Sequence, residues 1–136
     1  MALFEFDDKA PKIHPEAFIA PTAVLIGDVT VEGVRRCGST RCCGPITRVH
    51  VGAEALIANH CTVLDGAVIG SRSLIAAHSL VVGGTKIPEE VLVTGAPAKI
   101  KGPIAGTSAE MWVNVNPGEY QSLARRYREG LKPVAE

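Results

Sequence analysis

Branched aliphatic residues recur every six positions along the second half of this chain. Val51, Ile57, Val63, Ile69, Ile75, Val81, Ile87 and Val93 hold that phase without exception. Four residues after each stands Ala55, Cys61, Ala67, Ser73, Ser79, Thr85, Val91 or Pro97, small almost throughout. A period of six fits neither a helix, with 3.6 residues per turn, nor an alternating strand. It fits a triangular solenoid, in which three short strands and three turns use about 18 residues per coil. The large aliphatic then points inward, and each strand pairs with its equivalent in the next coil about 4.8 Å away. Gly52, Asn59, Gly66 and Gly70 are expected at corners that need positive φ. Ile13, Ile19, Leu25 and Val31 carry the same phase, so the N-terminal segment is expected to be solenoid too.

Val31 and Val51 are 20 residues apart, which is not a multiple of six, so the two halves are out of phase. The segment between them, GVRRCGSTRCCGPITR at 33–48, holds Arg35, Arg36, Arg41 and Arg48 with Cys37, Cys42 and Cys43, and almost no aliphatics. Such a sequence cannot fill a coil interior in the usual way. The expected organisation is an all-β solenoid over 1–103, interrupted at 33–48 by a surface loop or irregular coil, with a metal-binding insert as the alternative. Residues 104–136 form a tail with a helix at about 117–131, its start delayed by Pro117 and Gly118. Tyr120, Leu123, Ala124 and Tyr127 give that helix one apolar face, to pack along the solenoid or against a neighbouring subunit.

The composition agrees. Aromatics are only 4% of the chain while Gly is 14 and Pro 9, as expected for a core of small aliphatics between many turns. Lys+Arg and Asp+Glu are both 14, so bulk charge gives no reason to expect a nucleic-acid or anionic-membrane partner. No apolar run is long enough to span a bilayer, and the opening MALFEFDDKAP lacks the basic start of a secretory signal, which makes the cytoplasm the expected location. The four cysteines include no CxxC, so reduced thiols are expected rather than a disulfide framework or zinc knuckle. Phosphate-loop, GxSxG and HExxH motifs are all absent.

Chemistry-bearing residues are few. His60 and His78 lie one coil apart, so they are expected to stack on one face about 4.8 Å from each other. Counting back another coil reaches Cys42, and a column of Cys42, His60 and His78 has ligand types acceptable to zinc. The alternative is two imidazoles stacked along a subunit face, or one of them serving a hexapeptide acyltransferase as general base toward a hydroxyl or amine. Cys61 falls on the small inward position and reads as a buried hydrophobe. Asp28 and Asp65 sit in turns, where their side chains are expected to cap backbone amides. The four arginines of 33–48 read as solvated charge, or as a site for an anion such as a siderophore carboxylate.

Two stretches resemble a known family. PKIHPEAFIAPTAVLIGDVTVE at 11–32, and VHVGAEALIANHCTVLDGAVIGSRSLIAAHSLVVGGTKIPEEVLVTGAPAKIKGP at 49–103, look like γ-class carbonic anhydrases, a family that includes ferripyochelin- and other siderophore-binding proteins. The tail GTSAEMWVNVNP resembles that of actinobacterial members. The resemblance implies a left-handed parallel β-helix with a C-terminal helix, assembled as a homotrimer. It also implies zinc held by three histidines between subunits, activating water for attack on carbon dioxide. This chain, however, passes from GDVTVE into 33–48 and re-enters the pattern at Val49, so the Arg-x-Asp coil and both ligand-bearing coils are missing. His14, His50, His60 and His78 match family positions that are not ligands. The expectation is therefore a carbonic-anhydrase-like protein with little or no lyase activity, with siderophore or small-ligand binding and acyl transfer as the alternatives.

The foreign segment has an explanation in the genetic code. A family-like coil VWFNAVLRADYA, written in GC-rich codons and read from the second base, gives CGSTRCCGPITR, identical to residues 37–48. The segment is read as a frameshifted coil, followed by loss of roughly two coils before the frame is restored.

Overall fold

A computed structural model describes residues 2–33, 35–37, 41–42, 48–130 and 132, with backbone alone at 35–37, 41–42 and 116–117. The chain climbs in tiers of three strands. The first tier is β1 (Ala2–Phe4), β2 (Lys12–Ile13) and β3 (Ala17–Ile19), and the second is β4 (Val24–Ile26), β5 (Val29–Val31) and β6 (Arg35–Cys37). Above them lie β7 (Arg41–Cys42), β8 (Val49–Val51) and β9 (Leu56–Ile57), then β10 (Thr62–Val63), β11 (Val68–Ile69) and β12 (Leu74–Ile75). The last tier is β13 (Leu80–Val81), β14 (Lys86–Ile87) and β15 (Val91–Thr94). Equivalent strands pair in parallel to make three sheets, β1-β4-β7-β10-β13, β2-β5-β8-β11-β14 and β3-β6-β9-β12-β15, the third closed by antiparallel β16 (Lys99–Pro103). This is the left-handed parallel β-helix of hexapeptide repeats.

The six-residue phase is the core. Val63, Ile69, Ile75, Val81 and Val93 are fully buried, and Ile57, Ile87 and Val51 nearly so. The N-terminal phase joins them in register, with Ile13 facing Val31 and Val31 facing Val51. Cys61 is buried at the small inward position, where its thiol donates to the Ala76 carbonyl at 3.0 Å.

Two expectations about turns need correction. Gly66 does take positive φ, at 71°, but Gly52, Asn59 and Gly70 do not; the residue after Asn59, His60, takes it instead. Gly52 and Gly70 are needed for a different reason. A Cβ on Gly52 would lie 2.6 Å from the Ser71 amide nitrogen, and one on Gly70 would run into the Pro88 and Glu89 backbone. The chain of the next tier passes too close for any side chain.

The described strands of 33–48 stay in the stack. β6 pairs with β3 and β9, and β7 with β4 and β10, so the parallel ladders run through them. Inward register positions fall at Val31, Cys37, Cys42 and Val51, at intervals of six, five and nine residues. The phase shift is thus one residue lost before Cys42 and three gained after it. Residues 34, 38–40 and 43–47 lie outside the described set.

The helix also differs from expectation. α1 runs Ser108–Gly130, beginning well before Pro117. Thr107 precedes its first turn, and Glu110 reaches back to accept from the Gly106 amide at 2.8 Å, a relative of the capping box. Ala109 and Val113 then bury against Ile104, Leu74 and Leu92 on the outer face of the third sheet. That packing offsets the backbone hydrogen bond which Pro117, lacking an N–H, cannot make. Further along, Phe18 of β3 meets Tyr120 and Tyr127 at ring separations of 5.3 and 5.9 Å, so the anticipated apolar face does lie on the solenoid.

Candidate functional site

Side chains leave the solenoid at its corners, and the corners are built alike. Glu54, His60, Gly66, Arg72, His78, Gly84 and Glu90, at every sixth position, all take positive φ between 54° and 72°. Such a conformation is costly for a residue with a Cβ. Here it is held by the tier below: the amides of Arg72, His78, Gly84 and Glu90 donate to the carbonyls of Ala53, Asn59, Asp65 and Ser71 at 2.7–3.1 Å. The three corners therefore present three columns, Glu54–Arg72–Glu90, His60–His78 and Gly66–Gly84.

In the first column Arg72 bonds Glu54 at 2.9 Å, Glu90 at 3.0 Å and, on helix α1, Asn114 at 2.7 Å. The bonds to Glu90 and then Glu54 raise the Arg72 guanidinium above its already high range. A group held above its ordinary value keeps its proton, so the Arg72 side of this clamp stays cationic. Its function is structural: it ties α1 to the corner. Substituting Arg72→Met removes three partners and leaves two glutamates facing each other. Because the Arg72 side chain is about one-third exposed and both glutamates more so, the expected cost is at most about 1 kcal/mol. Hydrogen exchange will show it as faster amide exchange in 108–115; unchanged protection there would refute the clamp.

The second column is the one that can do chemistry. The His60 and His78 rings are exposed and stacked, with centroids 5.0 Å apart and planes within 8°. Cys42 does not join them. Its backbone pairs with Val63, three positions past His60, because the added residues of the third tier move the register. Its side chain, like those of Arg35, Arg36 and Arg41, lies outside the described set. Imidazoles stacked face to face aim their in-plane lone pairs in parallel, whereas two ligands of one metal must converge on it. Among the described residues no three His, Cys, Asp or Glu side chains gather as a metal site, so these residues do not reproduce a three-histidine zinc centre.

The remaining candidates are dispersed. His50 lies on the second sheet, 3.4 Å from Glu32. His14 accepts the Glu16 amide on Nδ1 at 3.2 Å. Arg48 meets Asp28 at 3.4 Å, a structural contact rather than an anion site. Asp65 was expected to cap an amide; instead its carbonyl does the accepting, and its buried Oδ1 has no partner among the described residues.

No family model matches the chain. Carnitine operon protein CaiE of Salmonella agona is 32% identical over an alignment that spans all of this chain and 90% of the relative. The chain belongs to the CaiE-like family of hexapeptide-repeat proteins. That alignment runs to 180 positions against 136 residues here, so the relative carries stretches that this CaiE-like chain lacks. Two solved structures share the fold over nearly their whole length. A hexapeptide transferase family protein from Anaplasma phagocytophilum is 21% identical with a TM-score of 0.63, covering 93% of this chain and 98% of its own. A proposed acetyltransferase from Bacillus cereus is 26% identical with a TM-score of 0.61, covering 94% and 97%. These relatives are named for a carnitine operon and for group transfer, not for carbon dioxide hydration. No helix among the described residues is long and apolar enough to cross a membrane.

Proposed function

We propose that this CaiE-like chain is a cytoplasmic acyltransferase of the hexapeptide type, with the His60–His78 corner as its proton acceptor. The carrying observation is the stacked, exposed imidazole pair on a rigid corner. Histidine is suited to take a proton near neutral pH. In the proposed step an imidazole nitrogen accepts the proton of a hydroxyl or amine as that group attacks the thioester carbonyl of an acyl-coenzyme A. The tetrahedral intermediate then expels coenzyme A, whose thiolate takes the proton back from the imidazolium. Products are an ester or amide and free thiol.

A homotrimer fits this reading. Outside the first sheet, Phe4 lies beside Ile26 in the first two tiers and Leu64 beside Val82 in the last two, with Phe4 and Val82 about half exposed. The His60–His78 corner borders that sheet, so a neighbouring subunit covering these residues would stand beside the imidazoles. The carbonic-anhydrase and siderophore-binding readings rest on the resemblance of 11–32 and 49–103, and no geometry among the described residues favours them.

The test is thiol release from acetyl-coenzyme A across a panel of amines and alcohols, with binding of the donor followed by calorimetry. Turnover is expected to fall about 10²- to 10⁴-fold in His60→Asn or His78→Asn. Asparagine is chosen because it tolerates positive φ, so the corner keeps its backbone. Failure to bind acetyl-coenzyme A would overturn the proposal. Zinc content near one per chain, with zinc-dependent carbon dioxide hydration, would favour the lyase instead.

A further inference from the structure

Among the described residues the first tier pairs only with the second, and its inward register positions Leu3, Ile13 and Ile19 form an apolar floor at that end of the solenoid. The end of α1 walls this floor on one side with Ala124 and Tyr127, leaving a cavity of about 450 Å³. That size lies within the usual range for small-molecule sites. The lining is aliphatic and aromatic except for His14, Arg128 and the hydroxyl of Tyr127.

The two nitrogen-bearing groups are donors. Arg128 spends one N–H on the Pro15 carbonyl, at 3.3 Å, and keeps the rest of its fixed fork. His14 accepts the Glu16 amide on Nδ1, so the neutral ring carries its proton on Nε2 and offers a donor there. A shallow groove adjoining the cavity adds Arg125 beside Arg128, against one carboxylate, Glu16. An apolar cavity whose polar groups are a permanent cation, an imidazole donor and a phenol, with no carboxylate in its lining, matches an apolar body ending in one anion.

We propose that this cavity binds a medium-chain aliphatic carboxylate, its chain on the Leu3–Ile13–Ile19 floor against Phe18 and its carboxylate at Arg128 and His14. A volume of 450 Å³ has room for a chain of roughly ten carbons. The site lies at the opposite end of the chain's tiers from the final coil and uses neither His60 nor His78, so it stands whether or not the acyltransferase reading does.

Calorimetry on the full chain with decanoate, decanol and decyltrimethylammonium decides it. Decanoate is expected to bind at least tenfold more tightly than decanol, and the cation not at all. Arg128→Gln should remove the preference for decanoate while decanol binding persists. Ala124→Trp, which fills the cavity from a half-buried position on the helix, should abolish both, with the helical circular dichroism signal unchanged. Equal affinity for decanoate and decanol, or decanoate binding that survives Ala124→Trp, would overturn the proposal.

Discussion

Ile75→Ala will cost the fold about 2–5 kcal/mol, a large share of the 5–15 kcal/mol by which domains of this kind are stable. Ile75 is fully buried in β12, with Ile57 in the tier before it and Val93 in the tier after. Backbone ladders on both sides fix the spacing of these tiers, so neighbouring chain cannot close over the lost atoms and a cavity remains. Denaturant unfolding at fixed protein concentration will read this as a lower midpoint. A loss below about 1 kcal/mol would mean that the tiers can collapse after all.

Gly70→Ala is the second large effect, and its cause is opposite. Gly70 has no positive φ, so alanine suits its backbone angles. The added methyl instead meets the carbonyl and amide of Pro88 and Glu89 in the next tier, which are backbone and cannot rotate aside. Overpacking of this kind costs about 1–3 kcal/mol, and the upper end is expected because the obstacle is main chain. Gly84→Asn makes the control: its φ is 72°, its Cβ would meet nothing within 4 Å, and asparagine tolerates that region. Gly84→Asn should cost well under 1 kcal/mol. If the two variants melt together, close approach is not what fixes Gly70.

The two imidazoles were legible as a pair because 18 residues make one coil, and the structure brings them to 5.0 Å. Their third companion was not. Counting 18 back from His60 reaches Cys42 only if every coil is regular, and the third tier is not. The capping pattern Thr107-Ser108-Ala109-Glu110 was also present in the sequence, and the prominence of Pro117 obscured it.

What the sequence determined by itself is the inward set and hence the solenoid, because burial repeats with the local period and each aliphatic declares its own side. Tertiary structure decided the rest. The positive-φ corners are occupied by Glu, His, Gly and Arg, which share no side-chain property, since the tier below imposes the conformation through its carbonyls. The early helix start depends on an apolar strip that Leu74 and Leu92 offer only once the coils are stacked. The register of 33–48 depends on ladders already set by the tiers on either side, which hold β6 and β7 in place despite a sequence with almost no aliphatics.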